Sequence, residues 1–193
     1  MTEIEEWVKQ VQSGNVVAYE AIAEQFSPPL YRYCFRMLNQ VQEAEDAVQD
    51  VLIKAYESIG AYKQSVSFGA WIFSIAYRHC LNVLRRRKLQ LKFSWLFHQE
   101  EHEESPEQIY DKHCFSPLMI HALSKLSPKD RSLLIFRIFE DRSYVEIGEM
   151  IGSKPEAVKK RIARAKEKIR QQLHIREEDI QWQDKITIAK MKI

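Results

Sequence analysis

The sequence predicts an all-α protein of two helical domains joined by an acidic linker, and three observations carry that prediction. Apolar residues recur at helical spacing along most of the chain, and no run rises above that pattern with the alternation of a strand. Hydrophobic residues make up 45% of 193 residues, with only five glycines and six prolines, which suits packed helical cores. Helical periodicity lapses between residues 89 and 116, where Pro106 interrupts and residues 100–111 carry a net charge of −6. The expected divisions are therefore a first domain over residues 1–88, a linker over 89–116, a second domain over 117–173 and a tail over 174–193.

In the first domain, Ile4, Trp7, Val8 and Val11 make the apolar face of a first helix that Gly14 stops. Asn15 is placed to cap a second helix through Tyr19, Ile22, Ala23 and Phe26, its side-chain oxygen accepting from first-turn amides. Ser27-Pro28-Pro29 reads as the end of that helix, because proline brings no donor and crowds the preceding turn. A third helix then carries Leu30, Tyr31, Cys34, Phe35 and Leu38, and a fourth carries Val41, Ala44, Val48, Val51, Leu52, Ala55 and Ile59. Residues 60–67 are polar and turn-rich and read as a loop. Ser67 then caps a long helix with Trp71, Ile72, Ile75, Ala76, His79 and Val83 on one face, leading into Arg85-Arg86-Arg87-Lys88, a charge of +4 in four residues. His79 lies on the apolar stripe and reads as a satisfied core histidine.

Periodicity resumes at Leu118, Ile120, Leu123 and Leu126, and Ser127-Pro128 with Asp130 opens a helix carrying Leu133, Leu134, Phe136 and Ile138. Ser143 and Glu146 form a capping box, opening a short helix with Val145, Ile147, Met150 and Ile151 as its apolar positions; Gly152 is placed to end it in a left-handed turn. Ser153 and Glu156 repeat the box for the next helix, and Pro155 fits its first turn. Val158, Ile162, Ala165 and Ile169 make one narrow stripe on that helix, while residues 154–170 carry a net charge of +6. Two helices joined by so tight a glycine-containing turn, the second strongly basic, describe a helix-turn-helix that lies on DNA.

Several function classes are disfavoured. The apolar runs fall short of the roughly 20 residues that a membrane span needs, and the acidic start is unlike a signal peptide, so a cytoplasmic location is expected. Cys34, Cys80 and Cys114 are odd in number and scattered, which argues against a disulfide framework. His98 and His102, with His113 and Cys114 beyond, have helical spacing but no matching carboxylate and lie in acidic linker, so no metal site is assigned. No phosphate loop or nucleophile elbow is present, and neither an enzyme activity nor a cofactor nor a small-molecule substrate is expected.

Three segments together resemble the RNA polymerase sigma factors of the extracytoplasmic-function group of the sigma-70 family, over roughly residues 15–172. Residues 43–56, EAEDAVQDVLIKAY, are similar to the segment that binds the coiled coil of the polymerase largest subunit; residues 43–57 carry a net −4, which suits a basic protein partner better than phosphate. Residues 68–87, FGAWIFSIAYRHCLNVLRRR, resemble the helix that reads the −10 element, and residues 126–131 leading through Tyr144 to Arg170 resemble the −35 reader.

The resemblance implies binding to core polymerase, at the coiled coil and at its flap, and to promoter DNA. It points to Asp46, Gln49 and Asp50 for the coiled coil. For −10 it implies partly single-stranded DNA and a base turned out into a pocket: Tyr62, Phe68 and Trp71 could stack on or wedge against unpaired bases. Arg78 and Asn82 follow on the helix, Arg78 standing where the family often has Asn, and Arg85, Arg86 and Arg87 would grip phosphates. For −35 the candidates are Glu156, Lys159, Lys160, Ala163 and Arg164 for bases, and Lys154, Arg161, Arg142 and Tyr144 for the backbone. The resemblance further implies an anti-sigma partner, often membrane-anchored, and a linker that threads through the polymerase; the net −6 of residues 100–111 suggests that this linker would mimic nucleic acid in a positively charged channel. The competing reading is a helix-turn-helix regulator that recruits polymerase without acting as its sigma subunit; residues 43–87, where such a protein would carry a ligand or receiver domain, discriminate the two.

Overall fold

The structure, a computed structural model, describes residues 3–97 and 122–172. All regular elements among the described residues are helical, and none of the helices there is long and apolar enough to cross a membrane. The first part contains α1 (Glu3–Gln12), α2 (Ala18–Leu38), α3 (Val41–Ser58) and α4 (Phe68–Phe97), with a 3-10 turn at Ile59–Ala61. The second contains α5 (Pro128–Leu134), a π turn over Ile135–Phe139, α6 (Tyr144–Ile151) and α7 (Pro155–Gln172). The linker histidines, Cys114 and the tail lie outside the described residues.

Two expected helices are one. α2 runs unbroken through Pro28 and Pro29, where the prolines predict its end. The carbonyls that two prolines deprive of donors belong to Glu24 and Gln25, both exposed and open to water, while the Ser27 hydroxyl donates to the Ala23 carbonyl at 2.6 Å. One face of α2 is buried through Ile22, Phe26, Leu30, Tyr33, Met37 and Leu38, so packing along its whole length outweighs the local break. Asn15 does not cap this helix, which starts at Ala18 with Val17 in helical conformation before it. α4 starts where expected, the Ser67 hydroxyl accepting from the Ala70 amide at 3.1 Å, but it continues past Lys88 to Phe97.

In the helix-turn-helix, the Ser143–Glu146 box is fully formed: the Ser143 hydroxyl accepts from the Glu146 amide at 3.1 Å, and the Glu146 carboxylate accepts from the Ser143 amide at 2.8 Å. Gly152 ends α6 at φ 68°, as its left-handed turn requires. The second box is displaced. α7 begins with Pro155 at its first position, where a missing N–H is harmless, so the Lys154 carbonyl rather than that of Ser153 starts the ladder, accepting from Val158 at 3.1 Å. Val158, Ile162, Ala165 and Ile169 are buried as their spacing predicts, whereas Val145 is 56% exposed and faces away from the core.

The turn has a tight point that spacing did not reveal. A Cβ on Gly148 would lie 2.5 Å from the Ser153 carbonyl oxygen, so only glycine lets the turn fold back onto α6. Gly148→Ala should therefore lower the thermal midpoint of the second domain by more than Ser143→Ala, whose lost cap costs about 1 kcal/mol. Thermal unfolding of the two variants checks the order.

The two domains share one core. The Tyr33 ring of α2 stacks on Phe136 of the π turn, centroids 4.5 Å apart and planes within 1°, and Phe73 of α4 meets Phe136 edge-on at 5.9 Å. The Tyr33 hydroxyl and Ser132 Oγ are 2.8 Å apart, both residues fully buried. Arg36 donates to Glu140 at 2.7 Å and lies over the Phe139 ring, and Arg131 donates to the Met37 carbonyl at 3.0 Å. α6 packs along α4, where Arg142 lies over the Phe73 ring. An all-α, two-domain architecture was expected; this direct contact between the domains was not.

Candidate nucleic-acid interface

The acidic face of α3 follows from its period. Ala44, Ala47, Val48, Val51 and Ala55 are buried, leaving Asp46, Gln49 and Asp50 exposed together on the opposite side. Glu43 belongs elsewhere, because both of its oxygens accept from Arg87. Asp50 is flanked at 3.7 Å by Lys54 and at 3.8 Å by His79, and Lys54 stands 3.1 Å from His79 Nδ1. His79 is thus half-buried with polar partners. Burial and then Lys54 lower its pKa, Arg86 adding to them and Asp50 opposing. At neutral pH the ring is uncharged and accepts from the Lys54 ammonium.

A cationic face runs down α4. Arg78, Asn82, Arg85 and Arg86 are exposed at i, i+4, i+7 and i+8, one side of the helix. Arg87 is not part of it. Besides Glu43, its guanidinium donates to the Leu38 carbonyl at 3.0 Å and to Gln40 at 3.2 Å, fastening α4 to the α2–α3 turn. The aromatic candidates are also placed differently from expectation. Phe68 and Tyr62 are 3% and 7% exposed, in edge contact at 5.3 Å, and the Tyr62 hydroxyl donates to the Val66 carbonyl at 2.7 Å. Neither ring offers a face to a base in this arrangement. Trp71, half-buried, covers both at 5.2 Å and is the member of the trio nearest solvent.

A second cationic face lies on α7. Glu156, Lys159, Lys160, Ala163 and Arg164 are exposed on the side opposite the buried stripe, with Lys154 exposed just before them. Two expected phosphate contacts are otherwise engaged. Arg161 is held by Asp130 through two bonds of 3.2 and 2.7 Å, joining α7 to α5. Arg142 pairs with Glu146 at 3.3 Å, and its buried Nε has no hydrogen-bond partner. Tyr144 is half-buried beneath the Arg137 guanidinium, 5.0 Å from the ring centre. The described residues contain no group of His, Cys, Asp or Glu fit to hold a metal ion.

The Asp130 carboxyl sits below the usual range: burial pushes it up, but hydrogen bonds from Ser127 and Arg161 outweigh that. A lowered folded-state pKa stabilises above the unfolded value near 4, and the contribution drains away as pH falls through the folded value. Asp130→Asn should therefore unfold at lower temperature at neutral pH, and its midpoint should fall less steeply than the parent's below about pH 4. Thermal scans across pH 2–7 check this.

Of the contacts between domains, Phe136 is expected only as an apolar position of its own helix, and Tyr33, Arg36 and Glu140 are not singled out by the sequence. Their pattern signals only helix core and solvated charge.

Comparison with known proteins gives two matches of family profiles, together covering more than half the chain: Sigma-70 region 2 over residues 22–90 and Sigma-70, region 4 over residues 118–169. The chain is 28% identical over 180 residues to the ECF RNA polymerase sigma factor SigW of Bacillus subtilis, covering 88% of this chain and 96% of that one. It is 27% identical to the RNA polymerase sigma-H factor of Pseudomonas aeruginosa, over 84% of this chain and 89% of that one. Among solved structures it shares its fold with CnrH in complex with the cytosolic domain of CnrY, with a TM-score of 0.65, 21% identity and coverage of 87% and 95%. The same holds for the sigma factor RpoE in complex with the anti-sigma factor NepR from Bartonella quintana, with a TM-score of 0.64, 23% identity and coverage of 83% and 99%.

Proposed function

The chain belongs to the sigma-70 family of RNA polymerase sigma factors, in its extracytoplasmic-function group, and on that premise we propose how its surfaces divide the work of initiation. The protein binds core RNA polymerase and directs promoter-specific transcription initiation. The observation that carries the division is the presence of two exposed cationic helix faces, on different domains, beside one exposed acidic face.

The acidic face of α3, with Asp46, Gln49 and Asp50, takes the coiled coil of the polymerase largest subunit, and the second domain meets the flap. Arg78, Asn82, Arg85 and Arg86 on α4 run along the −10 element. There the arginines grip phosphates, and Trp71 is the ring best placed to meet an unpaired base. Lys160 and Arg164 on α7 suit guanine O6 and N7 at −35, Glu156 suits the cytosine amino group, and Ala163 a thymine methyl. The protein acts by binding and orienting, with the bond chemistry left to the polymerase. An anti-sigma partner is proposed as well, since CnrH and RpoE, which share this fold, were each solved with a bound protein.

A regulator that merely recruits polymerase is disfavoured by the region 2 match over residues 22–90, which leaves no place for a ligand or receiver domain there. Reconstitution tests the assignment. Core polymerase with this protein should start at selected promoters from a random DNA pool, and failure to select any would overturn the reading.

A further inference from the structure

The loop between α3 and α4 is shaped by side chains more than by its own backbone. Tyr62 closes the 3-10 turn, its amide donating to the Ile59 carbonyl at 3.1 Å, and the next backbone tie is that of the Trp71 amide to the Ser67 carbonyl at the start of α4. Residues 63–66 carry no backbone–backbone hydrogen bond among the described residues. Two side chains hold the loop instead. Gln12, the last residue of α1, donates from Nε2 to the Ile59 carbonyl at 2.8 Å and to the Tyr62 carbonyl at 3.2 Å. Tyr62 then spans the loop, its hydroxyl donating to the Val66 carbonyl at 2.7 Å. We propose that Gln12 is a positioning residue for −10 recognition: it braces the loop of residues 60–67 so that the loop and Trp71 meet unpaired bases in one fixed arrangement. The proposal rests on the −10 role given above to the first domain.

A brace must itself be fixed, and the end of α1 is. Val8 and Val11 are buried, seating the helix on the core, and Gly14 turns the chain at φ 101° directly after it. The Ser13 amide returns to the Lys9 carbonyl at 2.9 Å, that of Gly14 to Val11 at 3.0 Å and that of Asn15 to Gln10 at 2.9 Å. Gln12 therefore reaches out from a closed helix end. Its amide is the right group for the place. Two carbonyl oxygens need two donors, which the NH2 of a primary amide supplies; the amide oxygen turned the same way would meet both with like partial charge.

The brace reaches the bases through aromatic rings. The Tyr62 ring is 5.3 Å from Phe68 and 5.2 Å from Trp71, and Phe68 is seated against Phe26 of α2 at 5.5 Å. Holding the Tyr62 carbonyl therefore fixes the ring on which Trp71 lies and, through Val66, the far end of the loop. Between those two points Lys63, Gln64 and Ser65 are exposed at the tip. A loop already held in its binding shape need not be ordered when the base arrives, so less of the contact energy is lost. Burial, and after it the Glu5 carboxylate of α1, push the pKa of the Tyr62 hydroxyl up, which keeps it a donor to Val66. Gln12 itself is exposed, so its two bonds add little to the stability of the domain beyond shaping the loop.

Three substitutions test the brace. Gln12→Met keeps the length and removes both donors, Gln12→Glu sets a carboxylate against the two carbonyls, and Gln12→Lys restores a donor. Open-complex formation by holoenzyme is measured on promoters carrying each base in turn at each −10 position, alongside core affinity and binding to a −35 duplex. The parent should prefer particular bases at −10. Q12M and Q12E should form open complexes about tenfold less well on the preferred sequence, the scale of one lost base contact, and should lose the preference at the position the loop meets. Core affinity and −35 binding should stay parental, and Q12K should recover the −10 preference. A domain merely destabilised would lower every readout together. Parental −10 preference in Q12M and Q12E overturns the brace, as does an equal loss of core affinity or a Q12K that recovers nothing. A parent with no base preference at −10 overturns the −10 role of the first domain, and the brace with it.

Discussion

Asp46→Arg with Asp50→Arg is expected to abolish initiation at every promoter while leaving the first domain folded. Both carboxylates are exposed on the solvent side of α3, away from Ala47, Val48 and Val51, so their replacement disturbs no packing. Within the domain the change removes only the exposed pairing of Asp50 with Lys54, of a kind that contributes under about 1 kcal/mol. Against a basic partner helix the effect is far larger, because attraction is replaced at two points by like charges, each costing several kcal/mol. Core affinity should fall by at least about a thousandfold, measured by titrating labelled core, with circular dichroism unchanged. Binding of the free second domain face to a duplex bearing the −35 element should be unaltered. Core affinity within a few-fold of the parent would remove α3 from the interface.

Lys160→Ala with Arg164→Ala is expected to give the opposite profile: normal core binding and loss of promoter choice. Both side chains are exposed on α7, one turn apart, and neither supports the stripe of Val158, Ile162 and Ile169. A side chain reading guanine in two bonds discriminates by about 1–3 kcal/mol, so the pair should cost roughly a hundredfold or more at promoters that depend on −35. The form of the loss tells what each residue touches. A base contact, once removed, relaxes the preference at one position of the element, whereas a phosphate contact weakens all sequences alike and lowers the salt dependence by about one counterion. Competition between promoter variants at two salt concentrations separates these. If the double variant still chose promoters as the parent does, α7 would not be the −35 reader.

Much of this was legible because helix formation is local. The stripe on α7, the Ser143–Glu146 box and the left-handed Gly152 each depend on residues within a turn or two of one another, and each is found as spacing predicts. The loop before α4 and its Ser67 cap are of the same kind. Where a distant surface competes with a local signal, the local signal loses. Pro28 and Pro29 mark a break in any isolated peptide, yet burial along α2 carries the helix through them. Tyr62 and Phe68 have the composition of a base-stacking loop, yet the same rings supply the apolar area on which Trp71 and the loop rest. Gly148 carries no local signal that distinguishes it from other helix residues; its constraint comes from the Ser153 carbonyl that the turn brings against it.

Charge was the least decided by pattern. The sequence by itself determined that the protein is helical, that it has two basic helix faces and one acidic one, and that these match the sigma-70 regions in order, since periodicity and capping act over a few residues. It could not say which cations are free. Arg87, Arg142 and Arg161 read as phosphate contacts, but they are engaged by Glu43, Glu146 and Asp130, and the acceptors for Arg87 and Arg161 come from other helices. Nor could it say that the domains meet, because Tyr33 and Ser132 stand 99 residues apart and Arg36 and Glu140 stand 104 apart. An aromatic residue on an apolar stripe carries the same local pattern whether it packs within its own domain or against another. Only the tertiary structure, by bringing those faces to within a few ångströms, made the first domain the partner of the second.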